Sequence, residues 1–117
     1  QATERWFVDC LGAEFLGRRE ARGSTTTDLR LGGAMLLLRG ARRNEAMGEA
    51  GPARFGTDHL GLRVADVDAA VLQLRQRGVE IFEEPAQVTP GLRIAYVRGP
   101  DQIRIELVKR TQQTDRA

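Results

Sequence analysis

The chain has 117 residues, enough for one domain or two closely joined half-domains. It is 41% hydrophobic and 29% charged, an ordinary globular balance, and no apolar run approaches the ~20 residues that span a bilayer, so no membrane partner is expected. The net charge of +2 comes from 18 basic and 16 acidic residues; the arginines are scattered and aromatics are few, which argues against a nucleic-acid groove. Cys10 is the one cysteine, so no internal disulfide can form. That fits a reducing, cytoplasmic setting, with Cys10 read as a buried, inert thiol.

Residues 2–11 read as a helix with Trp6, Phe7, Cys10 and Leu11 on one apolar face, Thr3 as a candidate cap, and Gly12 as the stop. "AEFL" reads as a short strand and "GRREARGSTT" as a polar turn region. "TDLRL" is a second strand, Gly32-Gly33 a tight turn, and "AMLLLR" a third strand. Residues 40–58, rich in Gly, Ala and charge, read as a linker or mobile loop. "HLGLRVA" is a strand, after which Asp66 caps a helix from Val67 to Arg77 with Val67, Val71, Leu72 and Leu74 on its apolar side. Gly78 ends that helix. "VEIFEE" is a strand, "PAQVTPG" a loop, "LRIAYVR" a strand, "GPDQ" a turn and "IRIELVK" the last strand. Residues 111–117 form a tail.

A repeat underlies this order. Gly12-Ala13-Glu14-Phe15-Leu16 parallels Gly78-Val79-Glu80-Ile81-Phe82, and each glycine follows a helix and precedes three strands. The expected class is α+β: two β-α-β-β-β modules, residues 1–39 and 59–110, with the first lacking its opening strand. That strand is expected upstream of Gln1, and supplying it needs only about ten residues. Strand alternation puts His59, the single histidine, on one face with Gly61 and Arg63. In the last strand Glu106 shares a face with Arg104 and Val108, opposite Ile103, Ile105 and Leu107. If the apolar faces pack under the helix, His59 and Glu106 meet on the concave side.

The segments "DHLGLRVADVDAA", "RGVEIFEEP", "IAYVRGPDQIRIELV" and "ERWFVDCLGAEF" resemble the vicinal-oxygen-chelate superfamily. That group holds glyoxalase I, extradiol dioxygenases, fosfomycin- and bleomycin-resistance proteins and methylmalonyl-CoA epimerase. The resemblance implies paired modules curling into an incomplete barrel with helices outside. It also implies His59 and Glu106 as metal ligands and Tyr96 as a catalytic hydrogen-bonding tyrosine of the extradiol type. Leu37 falls where glyoxalase I has a metal-binding carboxylate that also moves a proton, which counts against glyoxalase I chemistry.

A histidine on the upstream strand would complete a triad of two histidines and one glutamate, which suits Fe(II) or Mn(II), with Zn or Ni as alternatives. Met35, Leu37, Arg63 and Arg104 are expected to line the substrate pocket. Each residue also has a purely structural reading: His59 bonded to backbone, Glu106 paired with Arg63 or Arg104, Tyr96 packed with its hydroxyl satisfied. The expected function is metal-dependent chemistry on a small oxygenated substrate, extradiol-dioxygenase-like first. Lyase or epimerase chemistry, with Glu14 or Glu80 as substitute bases, stands second. A bleomycin-resistance-type binding protein without catalysis is the other class. The expected assembly is a homodimer with shared sites.

Overall fold

The computed structural model describes residues 2–46 and 59–111. It divides into two compact units, Gln1–Gly51 and Pro52–Ala117, and the division falls inside the predicted linker. The first unit runs α1 (Ala2–Leu11), β1 (Glu14–Ala21), β2 (Ser24–Leu31), β3 (Ala34–Arg39). The second runs β4 (Leu60–Arg63), α2 (Val67–Gln76), β5 (Ile81–Thr89), β6 (Leu92–Arg98), β7 (Arg104–Arg110). The sheets have orders β1-β2-β3 and β4-β7-β6-β5, and neither closes on itself. This is the predicted α+β class. Among the described residues no helix is long and apolar enough to cross a membrane.

In the first unit α1 lies on β2, with Phe7 and Leu29 both buried. Thr3 sits inside the first turn of α1 and not ahead of it, so it is no cap. Cys10 is half-buried, not buried. The hairpin between β1 and β2 departs most from expectation. The predicted ten-residue polar turn shrinks to Arg22-Gly23, both with positive φ (52° and 75°), and the polar residues around it are strand. Two consecutive left-handed residues make the tight turn that matches strand twist. Polar side chains then satisfy one another across the ladder: Arg18 donates to Thr27 directly opposite, and Arg19 donates to Asp28 on a diagonal. The start of the predicted mobile linker is tied down as well. Ser24 donates to the Gly40 carbonyl at 2.5 Å, Arg42 to the Arg22 carbonyl at 3.1 Å, and Arg39 pairs with Glu45 at 2.9 Å. Its remainder, 47–58, and the tail from 112 lie outside the described residues.

In the second unit the Asp66 carboxylate accepts from the Ala69 amide at 3.0 Å and caps α2 as predicted. Val67, Val71 and Leu74 are buried, but Leu72 is 54% exposed. One step along a helix turns a side chain by about 100°, which takes position 72 off the stripe that 67, 71 and 74 define. β5 runs through Pro85 and Thr89, where a loop is predicted. It is an edge strand with three register breaks against β6, the setting in which a sheet tolerates proline. Ala95, Val97, Ile105 and Leu107 form the buried floor under α2.

The repeat is a physical one. Glu14 pairs with Arg30 at 3.0 Å, and Glu80 with Arg98 at 3.1 Å, at matching places. Gly12 and Gly78 both take positive φ, 72° and 81°, just past each helix. Cross-strand register aligns Leu29 with Val97 and Leu36 with Ile105, and so sets Leu37 against Glu106. The units differ at one edge. β4 lies parallel to β7, whereas β3 pairs only with β2 among the described strands.

Two substitutions test this packing by urea unfolding. Leu107→Ala removes a side chain that is 1% exposed and is expected to cost about 2–5 kcal/mol. Asp66→Ala removes the cap and is expected to cost about 1 kcal/mol, with the slope of unfolding against urea unchanged.

Candidate functional site

The site begins with a strand pairing. β4 lies parallel to β7 with Gly61 level with Glu106, while β6 runs antiparallel on the other side with Tyr96 opposite Glu106. The carboxylate therefore sits between a strand that offers no side chain and one that offers a phenol. The sheet face under α2 takes the buried apolar residues of β6 and β7. Alternation sends Gly61, Tyr96, Arg104 and Glu106 to the other face.

The two Glu106 oxygens have different surroundings. The Tyr96 hydroxyl donates to Oε2 at 3.1 Å. Oε1 faces His59 Nε2 at 3.8 Å. The His59 and Tyr96 rings meet edge to face with centroids 5.4 Å apart. A Cβ at position 61 would lie 3.4 Å from Oε1, so Gly61 keeps that side of the carboxylate open. His59 and Glu106 are both half-buried.

Burial raises the Tyr96 pKa above its usual value, and the hydrogen bond to Glu106 and that carboxylate's charge push it the same way. Arg104 acts in the opposite direction. Tyr96 is thus a protonated donor across the physiological range, not a base. Its hydroxyl fixes the rotamer of Glu106.

His59 and Glu106 supply one imidazole nitrogen and one carboxylate oxygen. Bonds of about 2.1 Å to each donor let one divalent ion bridge donors roughly 3.0–3.4 Å apart, so the 3.8 Å here is within a small side-chain adjustment. The pair fits two positions of a metal's donor set. No group of three or more metal-ligating side chains occurs among the described residues, and two protein ligands alone hold a divalent ion weakly.

Of the sequence-predicted residues, His59, Tyr96, Glu106 and Arg104 come together on this face. The Arg104 guanidinium lies 5.0 Å from the Tyr96 ring centroid. Arg63 is exposed, two residue pairs along at the level of Val108. Met35 and Leu37 belong to the other sheet, where they are 58% and 56% exposed. Glu14 and Glu80, the substitute bases, are each committed to an arginine, Arg30 and Arg98.

Three residues were not singled out by sequence. Phe82 lies against Tyr96 at 5.7 Å and under the guanidiniums of Arg98 and Arg104. Alternation from Ile81, which lies opposite the buried Val97, puts Phe82 on this face, so "VEIFEE" did carry a signal for it. Gly61 had a signal, its place in the "HLGLR" alternation. Asp28 stands opposite Leu37 as Tyr96 stands opposite Glu106, and its Oδ1 is buried with no hydrogen-bond partner while Oδ2 takes Arg19. Only the paired register exposes that equivalence.

Comparison with known proteins agrees with this architecture. Residues 1–107 match the model of the Glyoxalase/Bleomycin resistance protein/Dioxygenase superfamily. YwkD of Bacillus subtilis is 30% identical over 111 residues, covering 92% of this chain and 85% of YwkD. Among solved structures, the glyoxalase family protein from Enterococcus faecalis superposes with a TM-score of 0.77 at 25% identity, covering 93% of this chain and 87% of that one. A glyoxalase I variant from Zea mays superposes with a TM-score of 0.75 at 24% identity, covering 94% of this chain but only 40% of the maize chain. The match of a superfamily model to nearly the whole sequence, over a fold whose two halves repeat, means that this chain belongs to the glyoxalase/bleomycin resistance protein/dioxygenase superfamily.

Proposed function

We propose that the protein is a metal-dependent enzyme acting on a small oxygenated molecule, with extradiol-dioxygenase-like chemistry as the leading form. One observation carries this reading: Glu106 is held by Tyr96 through one oxygen while the other faces His59. A carboxylate aimed in this way is a ligand prepared in advance. In this reading His59 and Glu106 would hold Fe(II) or Mn(II), with Zn and Ni as alternatives. Two protein ligands alone hold such an ion weakly, so this reading needs a further donor besides His59 and Glu106. The bound metal would supply Lewis-acid polarisation of vicinal substrate oxygens and, as Fe(II), the means to engage dioxygen.

The chain's own residues do the rest. Tyr96 keeps its proton, so it stabilises an anionic substrate oxygen by donation and does not abstract a proton. Leu37 offers neither a ligand nor a base at the place matching Glu106, which disfavours proton-transfer chemistry of the glyoxalase type. Homodimerisation with shared sites is part of the same proposal.

A second reading, a ligand-sequestering protein without catalysis, draws on the exposed apolar pair Met35 and Leu37. Elemental analysis of protein purified without chelator separates the two. The enzyme reading expects a stoichiometric transition metal that is lost in His59→Ala and in Glu106→Gln. A metal-free, folded wild type would sink it and leave the binding reading. Tyr96→Phe, which frees Glu106, is expected to weaken metal retention by about 10–100-fold.

The titration of Tyr96 is a further check, since it is the only tyrosine. Its phenol is expected to ionise above the usual ~10, read by tyrosinate absorbance, and to drop partway toward that value in Glu106→Gln because burial remains. The sign for stability follows. The folded protein binds this proton more tightly than the unfolded chain, so the contribution is full below the unfolded value and is lost as pH rises through the elevated one. A Tyr96 pKa at or below the usual value would remove the donor role.

A further inference from the structure

Gly61 is the second residue of β4 and lies on its exposed face. A glycine inside a strand marks a bulge, a tight bend, or a close approach by another backbone or by a ligand. The register of β4 against β7 runs without a break from Leu60–Ile105 to Arg63–Val108, so there is no bulge. Gly61 is not among the glycines with positive φ, so its backbone conformation is open to any residue. Among the described residues, a Cβ placed on Gly61 would meet one atom within 4 Å, Oε1 of Glu106 at 3.4 Å, and no backbone. That is a contact a methyl group can make without moving the sheet. The strand would gain from a side chain here, because glycine loses more entropy on folding than any other residue and offers nothing to pack. Of the four reasons for a strand glycine, the approach of a ligand is the one left standing.

What the missing side chain uncovers is specific. Four residues stand level across the sheet: Gly61 on β4, Glu106 on β7, Tyr96 on β6 and Glu83 on β5. Glu106 is held from the Tyr96 side through Oε2. On the other side the row ends in bare backbone, beside Oε1. His59, two residues before Gly61 and on the same face by alternation, faces that oxygen at 3.8 Å. The gap at position 61 is therefore bordered by the two groups read above as ligands.

We propose that Gly61 is a specificity-determining residue of this site through the side chain it lacks. It holds open an approach over the β4 backbone to Glu106 Oε1, and it sets the size of the ligand group that can sit there. This rests on the reading that His59 and Glu106 are ligands. Gly61 itself contributes no donor. Its role is steric, and the sheet gives up some stability for it.

The test is a size series, Gly61→Ala and Gly61→Val, on the full chain loaded with Mn(II). Free Mn(II) is read by electron paramagnetic resonance, and binding of catechol to the loaded protein by calorimetry. Catechol affinity is expected to fall about tenfold in Gly61→Ala and further in Gly61→Val, while Mn(II) affinity in Gly61→Ala stays within about threefold of wild type. Two further readouts separate lost access from damage. The urea midpoint of Gly61→Ala should equal or exceed that of wild type, because the added methyl meets no described backbone. The Tyr96 phenol should titrate as in wild type, because Glu106 has not moved.

Catechol affinity unchanged through Gly61→Val would overturn the inference and leave the ligand site standing. A urea midpoint below wild type in Gly61→Ala would overturn it by making the glycine structural. A Tyr96 titration that falls as in Glu106→Gln would overturn it by tracing the effect to a displaced carboxylate. Failure of loaded wild type to bind catechol also overturns it, and Mn(II) retention in wild type against His59→Ala then decides separately whether the site reading survives.

Discussion

Everything distinctive about the second unit depends on β4 lying parallel against β7. A parallel neighbour cannot come from a hairpin; it needs a crossover, and α2 supplies it. The crossover covers one sheet face with Val67, Val71 and Leu74 and leaves the other to Glu106 and its neighbours. Without that pairing Gly61 would not stand beside Glu106, and His59 would have no reason to be near it. The helix that stabilises the sheet therefore also brings the histidine to the carboxylate.

The comparison of the two units separates scaffold from site. Where they agree, the residues do structural work: the glycines past each helix, the Glu–Arg pairs, the aliphatic positions under each helix. Where they disagree, the second unit has acquired polar and aromatic groups on one face. Exposed ion pairs such as Glu80–Arg98 contribute little to stability individually. Their recurrence is better explained by register, because each ties the start of the first strand after the helix to the strand beside it.

The polar cluster is ordered by a division of labour at one carboxylate. A free glutamate on an open sheet face samples several rotamers. Here Tyr96 takes one oxygen, and the tyrosine is itself set by Phe82, His59 and Arg104 around its ring. The same burial and carboxylate contact that hold the phenol protonated make it a dependable donor. Orientation and protonation state have one cause.

The sequence by itself determined the modular order, the helix bounds near Ala2–Leu11 and Val67–Gln76, the Asp66 cap, and the strands of β3 and β6, because these follow from local periodicity and capping chemistry. It also carried the repeat, and with it the contrast between Leu37 and Glu106. It could not determine the length of the β1–β2 hairpin or the continuation of β5 through Pro85. Polar strand residues become strand only when a partner satisfies them, and proline is tolerated only once the strand is known to be an edge. Nor could it reach Asp28, whose place depends on which residue lies opposite. What only the tertiary structure decided is how the groups around Glu106 are aimed: Tyr96 to one oxygen, His59 toward the other, Arg104 over two rings. Those orientations are set by hydrogen bonds and ring contacts between strands far apart in sequence, which no local pattern encodes.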